Sequence, residues 1–211
     1  MQILDVAQLK LLGEGGYKVV YQHPTDEKKV IKLMRPQRIA QDGTFKKHGR
    51  LKKNSMQGMY RQFRREIIQY LQLCKNNFKN KDYLFPVETP FDFVPTNIGL
   101  GLAAEKIVSP AGKVESLADL VETEEFNQAH LVALEKFFQD CIDLHVIFGE
   151  VNANGILYTE TRNKRPEFVL VDGIGEKLVI PVRSYFKKNN TRYINKVKNE
   201  IFTQLKISRS L

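Results

Sequence analysis

The residues with types and spacing suited to chemistry fall in four places along the chain. Gly13-Glu14-Gly15-Gly16 lies between two strand-like runs, QLKLL and YKVVYQ. A loop without side chains lets its backbone amides come close to an anion such as a phosphate, although glycines also serve plain turns. A strand, not a helix, follows the cluster. That excludes phosphate loops built on a helix N-terminus. Lys32, in VIK, offers an ammonium, and Glu66, in RREIIQYL, offers a carboxylate. The two suit a phosphate counter-charge with its tether, or else a strand–helix ion pair worth only about 0–1 kcal/mol when exposed. Asp172 ends the apolar run FVLV, where it is either a loop cap or a metal ligand. Mg²⁺ fits the second option, because it takes one or two carboxylates plus phosphate oxygens and water. Glu150, in FGEVNANGIL, is either a proton acceptor or a simple loop carboxylate.

These groups need elements to hold them. QLKLL, YKVVYQ and KVIKLM read as three strands, with HPTDEKK as the turn before the third. Residues 35–57 are polar, basic and aperiodic, hence a long loop. YRQFRREIIQYLQL is a helix with Phe63, Ile67, Tyr70 and Leu71 on one face and Ile68 near its edge. YLFPVETPFDFV, broken by prolines, and IGLGLAAEKIV read as two further strand-like runs, separated by a turn at Pro95-Thr96-Asn97. SPAGK is a connector. SLADLVE is a short helix capped by Ser116 with Asp119 three residues on. HLVALEKFFQDCIDLHVI is a helix whose apolar stripe holds Leu131, Leu134, Phe138, Cys141, Ile142 and His145, which makes His145 a packing or capping residue. NGILYTE and EFVLVDG form a hairpin. Arg183 to Leu205 reads as a helix with Tyr185, Ile194, Val197, Ile201 and Leu205 inward.

The chain has 211 residues, 42% of them hydrophobic and 27% charged, which suits one globular unit or two small lobes. No apolar run approaches the roughly 20 residues of a membrane span, so no membrane insertion is expected. The N-terminal residues show no export pattern, and Cys74 and Cys141 form no metal-ligand cluster. Together these features predict a cytoplasmic setting. The net charge is +9, concentrated at 35–65 and in KKNNTRYINKVKNE. Such clusters attract nucleic acid, acidic membranes or phosphorylated partners, or simply keep a surface solvated. They lack interleaved aromatic residues for base stacking, which weighs against nucleic acid.

GEGGYKVVY resembles the protein-kinase glycine loop: Gly13, Gly15, Tyr17 and Val20 match, and Lys18 stands in place of the third glycine. VIK resembles the kinase strand lysine motif. The resemblance implies that Lys32 neutralises nucleotide phosphates and that Glu66 holds it. FGEVNANGIL looks like the kinase catalytic loop, with Glu150 at the catalytic aspartate, Asn152 at the lysine, Ala153 at the proline and Gly155 at the metal-binding asparagine. VLVDGIG resembles the strand that carries the metal-binding aspartate, which would be Asp172. Nearly the whole chain is similar to the YrbL family, small bacterial kinase-like proteins named for the PhoP regulatory network. The segments carrying that similarity are Tyr21 to Lys32, Arg64 to Glu66, and Val171 to Pro181.

The resemblance implies an α+β, protein-kinase-like two-lobed fold. Residues 1–107 would form an N-lobe of five antiparallel strands and one helix, and 108–211 a reduced, mainly helical C-lobe. ATP with Mg²⁺ would lie between the lobes, its phosphates under Gly13, Gly15 and Gly16, its adenine read by backbone amides near Glu105 to Ile107. Residues 176–211 are too few for a peptide-substrate platform, so any phosphoryl acceptor would be a small molecule, water or the protein itself. Three readings stay open: an atypical ATP-dependent phosphotransferase using Lys32, Asp172 and Glu150; a nucleotide-binding pseudokinase that regulates a protein partner; and a basic nucleic-acid-binding protein.

Overall fold

A computed structural model describes residues 3–46, 57–177 and 181–207. Two compact units emerge, the first formed by Met1–Ile67 with Thr89–Lys106, the second by Ile68–Glu88 with Ile107–Leu211.

The first unit is built on an antiparallel sheet of five strands in the order β1-β2-β3-β5-β4: β1 Leu11–Glu14, β2 Lys18–Gln22, β3 Lys29–Met34, β4 Pro90–Thr96 and β5 Gly99–Glu105. Residues opposite one another on antiparallel strands share a face. The pairs Gly13↔Val20, Val20↔Lys32 and Lys32↔Leu102 therefore set a transverse row on one face, with Lys18↔Met34 beside it. Helix α1, Arg61–Asn76, begins in this unit. Its Phe63 packs with Met34, Phe45 and Leu102, so the helix covers the face that carries the row. On the other face the sheet is tight at Gly101, where an added Cβ would lie 2.6 Å from Ile31 Cγ2.

The second unit holds α2 Leu117–Glu122, α3 Gln128–Asp143, β6 Ile156–Thr159, β7 Glu167–Leu170, α4 Val182–Tyr185 and α5 Lys187–Gln204. Strands β6 and β7 form the expected hairpin. Leu131, Leu134, Phe137, Phe138 and Cys141 of α3 are buried, joined by Phe148, Ile194, Ile201 and Phe202. The Phe138 ring lies 6.3 Å from both Phe148 and Phe202. The capping box at α2 is present: Ser116 Oγ accepts from the Asp119 amide and Asp119 Oδ2 from the Ser116 amide.

Several expectations need correction. The run 83–94 is not one strand. Residues 85–88 lie beside β7, through Leu170 N–H to Pro86 O and Glu88 N–H to Leu170 O, both 3.0 Å. Only Pro90–Thr96 joins the five-stranded sheet. Pro86 and Pro90 each lack a backbone donor, so an uninterrupted ladder across this stretch is unavailable. The first strand starts at Leu11, three residues later than QLKLL suggested, because Val6–Gln8 is a 3₁₀ turn capped by Asp5. The long loop is not featureless: Pro36–Arg38 is a 3₁₀ turn and Ile39 bridges Phe45, while 47–56 lie outside the described residues. On α1, Leu71 and Ile68 are exposed, and Leu73 is buried as well as Phe63. The C-terminal helix breaks at Phe186, and Tyr185 is 77% exposed instead of inward. Helix α3 stops at Asp143, and His145 follows in the left-handed region at φ 59°.

Candidate functional site

In the first unit the glycine turn links β1 to β2. Gly15 N–H donates to Lys18 O at 2.8 Å, closing the turn on itself. An added Cβ would meet nothing within 4 Å at Gly13 or Gly16, and only Lys18 O at 3.6 Å at Gly15. Neither crowding nor a left-handed φ explains three glycines here. Arg35, just past β3, braces the turn: Nη1 donates to Gly15 O at 3.0 Å, Nη2 to Glu14 Oε2 at 3.2 Å, and its amide to Tyr17 O at 2.9 Å. Tyr17 in turn packs edge-on against Phe45, ring centroids 5.4 Å apart. Sequence reasoning missed Arg35, which lay in an aperiodic basic stretch.

Lys32, 4% exposed, sits in β3 between Val20 and Leu102 on the α1 face. Glu66, 6% exposed, comes off α1 toward that face. The partner that Glu66 Oε1 shows is Lys18 Nζ, in a short buried ion pair. Lys18 stands at the position where the resemblance places a glycine. Lys18 and Lys32 are diagonal neighbours on one face, a relation that sets backbones about 7–8 Å apart. The second carboxylate oxygen, Glu66 Oε2, is buried with no hydrogen-bond partner among the described residues. Glu105 ends β5; its amide donates to Thr89 O at 2.9 Å, and its Oε2 accepts from Thr89 Oγ1 at 3.1 Å. The Lys106 amide is taken by Lys28 O at 2.8 Å. Those two amides are committed to backbone acceptors in the first unit.

In the second unit, Ile107 is buried among Leu157, Val169 and Val171. The segments 147–155 and 171–175 run side by side. Gly149 N–H donates to Gly173 O at 2.6 Å, Gly175 N–H to Ile147 O at 2.8 Å, and Val171 N–H to Gly155 O at 2.8 Å. The structure thereby brings the backbones carrying Glu150 and Asp172 together. The packing demands glycine: a Cβ at Gly149 would lie 2.8 Å from Gly173 O, and one at Gly173 would lie 2.4 Å from Glu150 O. At Gly155 a Cβ would meet Asp172 O at 3.3 Å, so the position where the resemblance expects a metal-binding asparagine is crowded against Asp172. Asn152 is used locally, its Oδ1 accepting from the Gly155 amide at 3.2 Å. The Glu150 carboxylate pairs with Lys177 Nζ, and its side chain is 68% exposed. Asp172 is exposed at the surface of this unit.

The backing of this loop was also invisible beforehand. Buried Arg183 donates from Nη1 to Phe148 O at 2.7 Å and from Nη2 to Glu176 Oε1 at 2.8 Å. Its guanidinium lies 4.3 Å from the Tyr193 ring centroid. Asn190 Nδ2 donates to Val146 O at 2.8 Å, and Gln69 Oε1 accepts from the Ile147 amide at 3.1 Å. His145 serves as a cap-like contact, its Nε2 lying 2.8 Å from Arg183 O. The only advance signal was an Arg, an Asn and a Gln at inward helical positions, where polar residues need partners.

Among the described residues, no three His, Cys, Asp or Glu side chains gather to hold a metal ion. No described helix is long and apolar enough to cross a membrane. The search of curated proteins gives no match to this chain. The family model for the PhoP regulatory network protein YrbL matches residues 4–206, and the chain belongs to that family.

Proposed function

We propose that the chain is a kinase-like nucleotide-binding protein that takes ATP with Mg²⁺, with a catalytic loop so altered that phosphoryl transfer is slow at best. The observation that carries this reading lies within the first unit. A glycine turn whose glycines packing does not explain opens onto a sheet face with Lys18, Lys32 and Glu66. Lys18 and Lys32 bring two ammonium groups to one sheet face, a donor set suited to a polyphosphate. The backbone amides flanking the turn need no side chain moved aside for a phosphate to approach. In this reading the kinase-like two-lobed arrangement supplies Asp172 as the Mg²⁺ ligand, a role compatible with a single carboxylate when phosphate and water complete the shell.

The altered loop favours the regulatory pseudokinase form over the phosphotransferase form. Glu150 is one methylene longer than aspartate and is tied to Lys177, and misplacing a base costs on the order of 10² in rate. Gly155 offers no metal ligand. Phosphoryl transfer rests mainly on positioning and charge neutralisation, so a slow transfer to a small molecule or to the protein itself is the phosphotransferase form of the same site.

The test is thermal melting with ATP and Mg²⁺. A ligand at about 100 times its Kd adds about 2.7 kcal/mol, which reads as a clear rise in Tm. The rise is expected in the wild type and lost in Lys32→Ala. ADP production that disappears in Asp172→Ala and Glu150→Gln selects transfer; binding without turnover selects the pseudokinase. Nucleic-acid binding with a steep salt dependence, unchanged by Lys32→Ala and unaccompanied by an ATP response, would replace both readings.

A further inference from the structure

We infer that Lys18 is a second phosphate-contacting ammonium, making the site a two-lysine clamp for nucleoside di- and triphosphates. The inference rests on the nucleotide-binding reading above and adds a residue that reading does not require. Lys18 is the first residue of β2 and follows the glycine turn directly. It lies opposite Met34, on the face that carries Lys32. It is only 7% exposed, and its Nζ is held by Glu66. A lysine buried for packing alone would be costly, since removing an ammonium from water must be repaid by its partner, and an apolar side chain fills such a place more cheaply. Glu66 repays part of that cost. It also leaves the pair aimed at the sheet face instead of at solvent.

The charge arithmetic gives the clamp its purpose. Where the resemblance expects a metal-binding asparagine, the chain has Gly155, with a Cβ position already 3.3 Å from Asp172 O. A site with one fewer metal ligand holds less divalent charge on the phosphates. A second lysine on the same sheet face offers the phosphates a further ammonium donor from the protein itself. Lys18 therefore selects for phosphate number: each added phosphate increases the charge it can meet, whereas adenine and ribose gain nothing from it. Glu66 acts as a positioning residue for this ammonium, its Oε2 remaining open to a further donor when the phosphates draw Lys18 toward them.

The experiment uses the full chain and a nucleotide acyl phosphate, a mixed anhydride whose acyl carbon is attacked by a nearby lysine amine. The amide bond forms as the acyl–phosphate bond breaks and the nucleotide leaves. Peptide mass spectrometry locates the modified lysines. Acylation of Lys18 as well as Lys32, suppressed by excess ATP, is the expected result. Acylation confined to Lys32 overturns the clamp and leaves nucleotide binding standing. No ATP-protected acylation at either position overturns both. Titration with ATP, ADP and AMP gives the second readout. Lys18→Met combined with Glu66→Gln avoids leaving a bare buried carboxylate, and Glu66→Gln alone is its control. Relative to that control, the double variant loses at least about tenfold in ATP and ADP affinity, the scale of one charge-assisted hydrogen bond, with a smaller loss for AMP. Equal affinities in the two variants, or an equal loss for all three nucleotides, would refute the assignment.

Discussion

Gly173 is the position at which a single methyl group should do the most damage to the Glu150–Asp172 loop pair. Its φ is +77°, in the left-handed region, and an added Cβ would lie 2.4 Å from Glu150 O and 2.9 Å from Val151 N. Both contacts are backbone, so no side chain can swing away. The neighbouring strands are tied by Gly149 N–H to Gly173 O at 2.6 Å and Gly175 N–H to Ile147 O at 2.8 Å, which resist separation. Gly173→Ala then carries two costs: roughly 1–2 kcal/mol for an L-residue in the left-handed region, and about 1–3 kcal/mol for overpacking against a fixed backbone. Gly112 isolates the first. Its φ is +73° and a Cβ there would meet nothing within 4 Å. Urea unfolding of Gly112→Ala and Gly173→Ala should show both destabilised, the second by about 1–3 kcal/mol more. A ligand-induced Tm rise, if the loop matters to it, should survive Gly112→Ala and fall in Gly173→Ala. Equal destabilisation in the two variants would mean that the loop segments part easily, and the argument that glycine is required for their close approach would fail.

Arg183→Ala removes one partner of Glu176 and a donor to Phe148 O, so it should destabilise the fold in urea unfolding by up to about 3–5 kcal/mol. Arg183→Lys should recover little of it, since one ammonium cannot span both acceptors. Burial lowers the pKa of His130 below its usual 6.5, against the opposing pull of Glu160, Glu115 and Glu125. The folded state then binds fewer protons than the unfolded chain below about pH 6.5. This contribution to stability is complete above that pH and falls away as pH drops toward the folded pKa. The difference in Tm between wild type and His130→Gln should therefore shrink with falling pH, and a constant difference from pH 7.5 to 5 would contradict it. Cys141 is fully buried and its thiol pKa is pushed well up, so a thiol reagent should reach it only at the rate of unfolding.

Period and composition reveal what depends on one element; they do not reveal which distant polar groups meet. Strands β2 and β3 were readable because Val19, Val20, Val30 and Ile31 are β-branched and the glycine and HPTD turns punctuate them. Helix α3 was readable because its apolar residues recur at helical spacing over four turns. The stretch 83–94 misled for a physical reason: both of its halves are extended, and extension says nothing about the partner, β7 for one and β5 for the other. The site divides along the same line. Gly13, Lys32, Glu66, Glu150 and Asp172 were nameable because residue type and order carry them. The partner of Glu66 was not, because Lys18 on β2 and Lys32 on β3 are diagonal neighbours on one face, and which of them meets the helix carboxylate depends on pairing between strands. Register is set by the whole hydrogen-bonded ladder and by the Gly15–Lys18 turn that begins it. Lys18 at the end of that turn thus places a charge where the ladder, and no local pattern, decides which carboxylate it will meet.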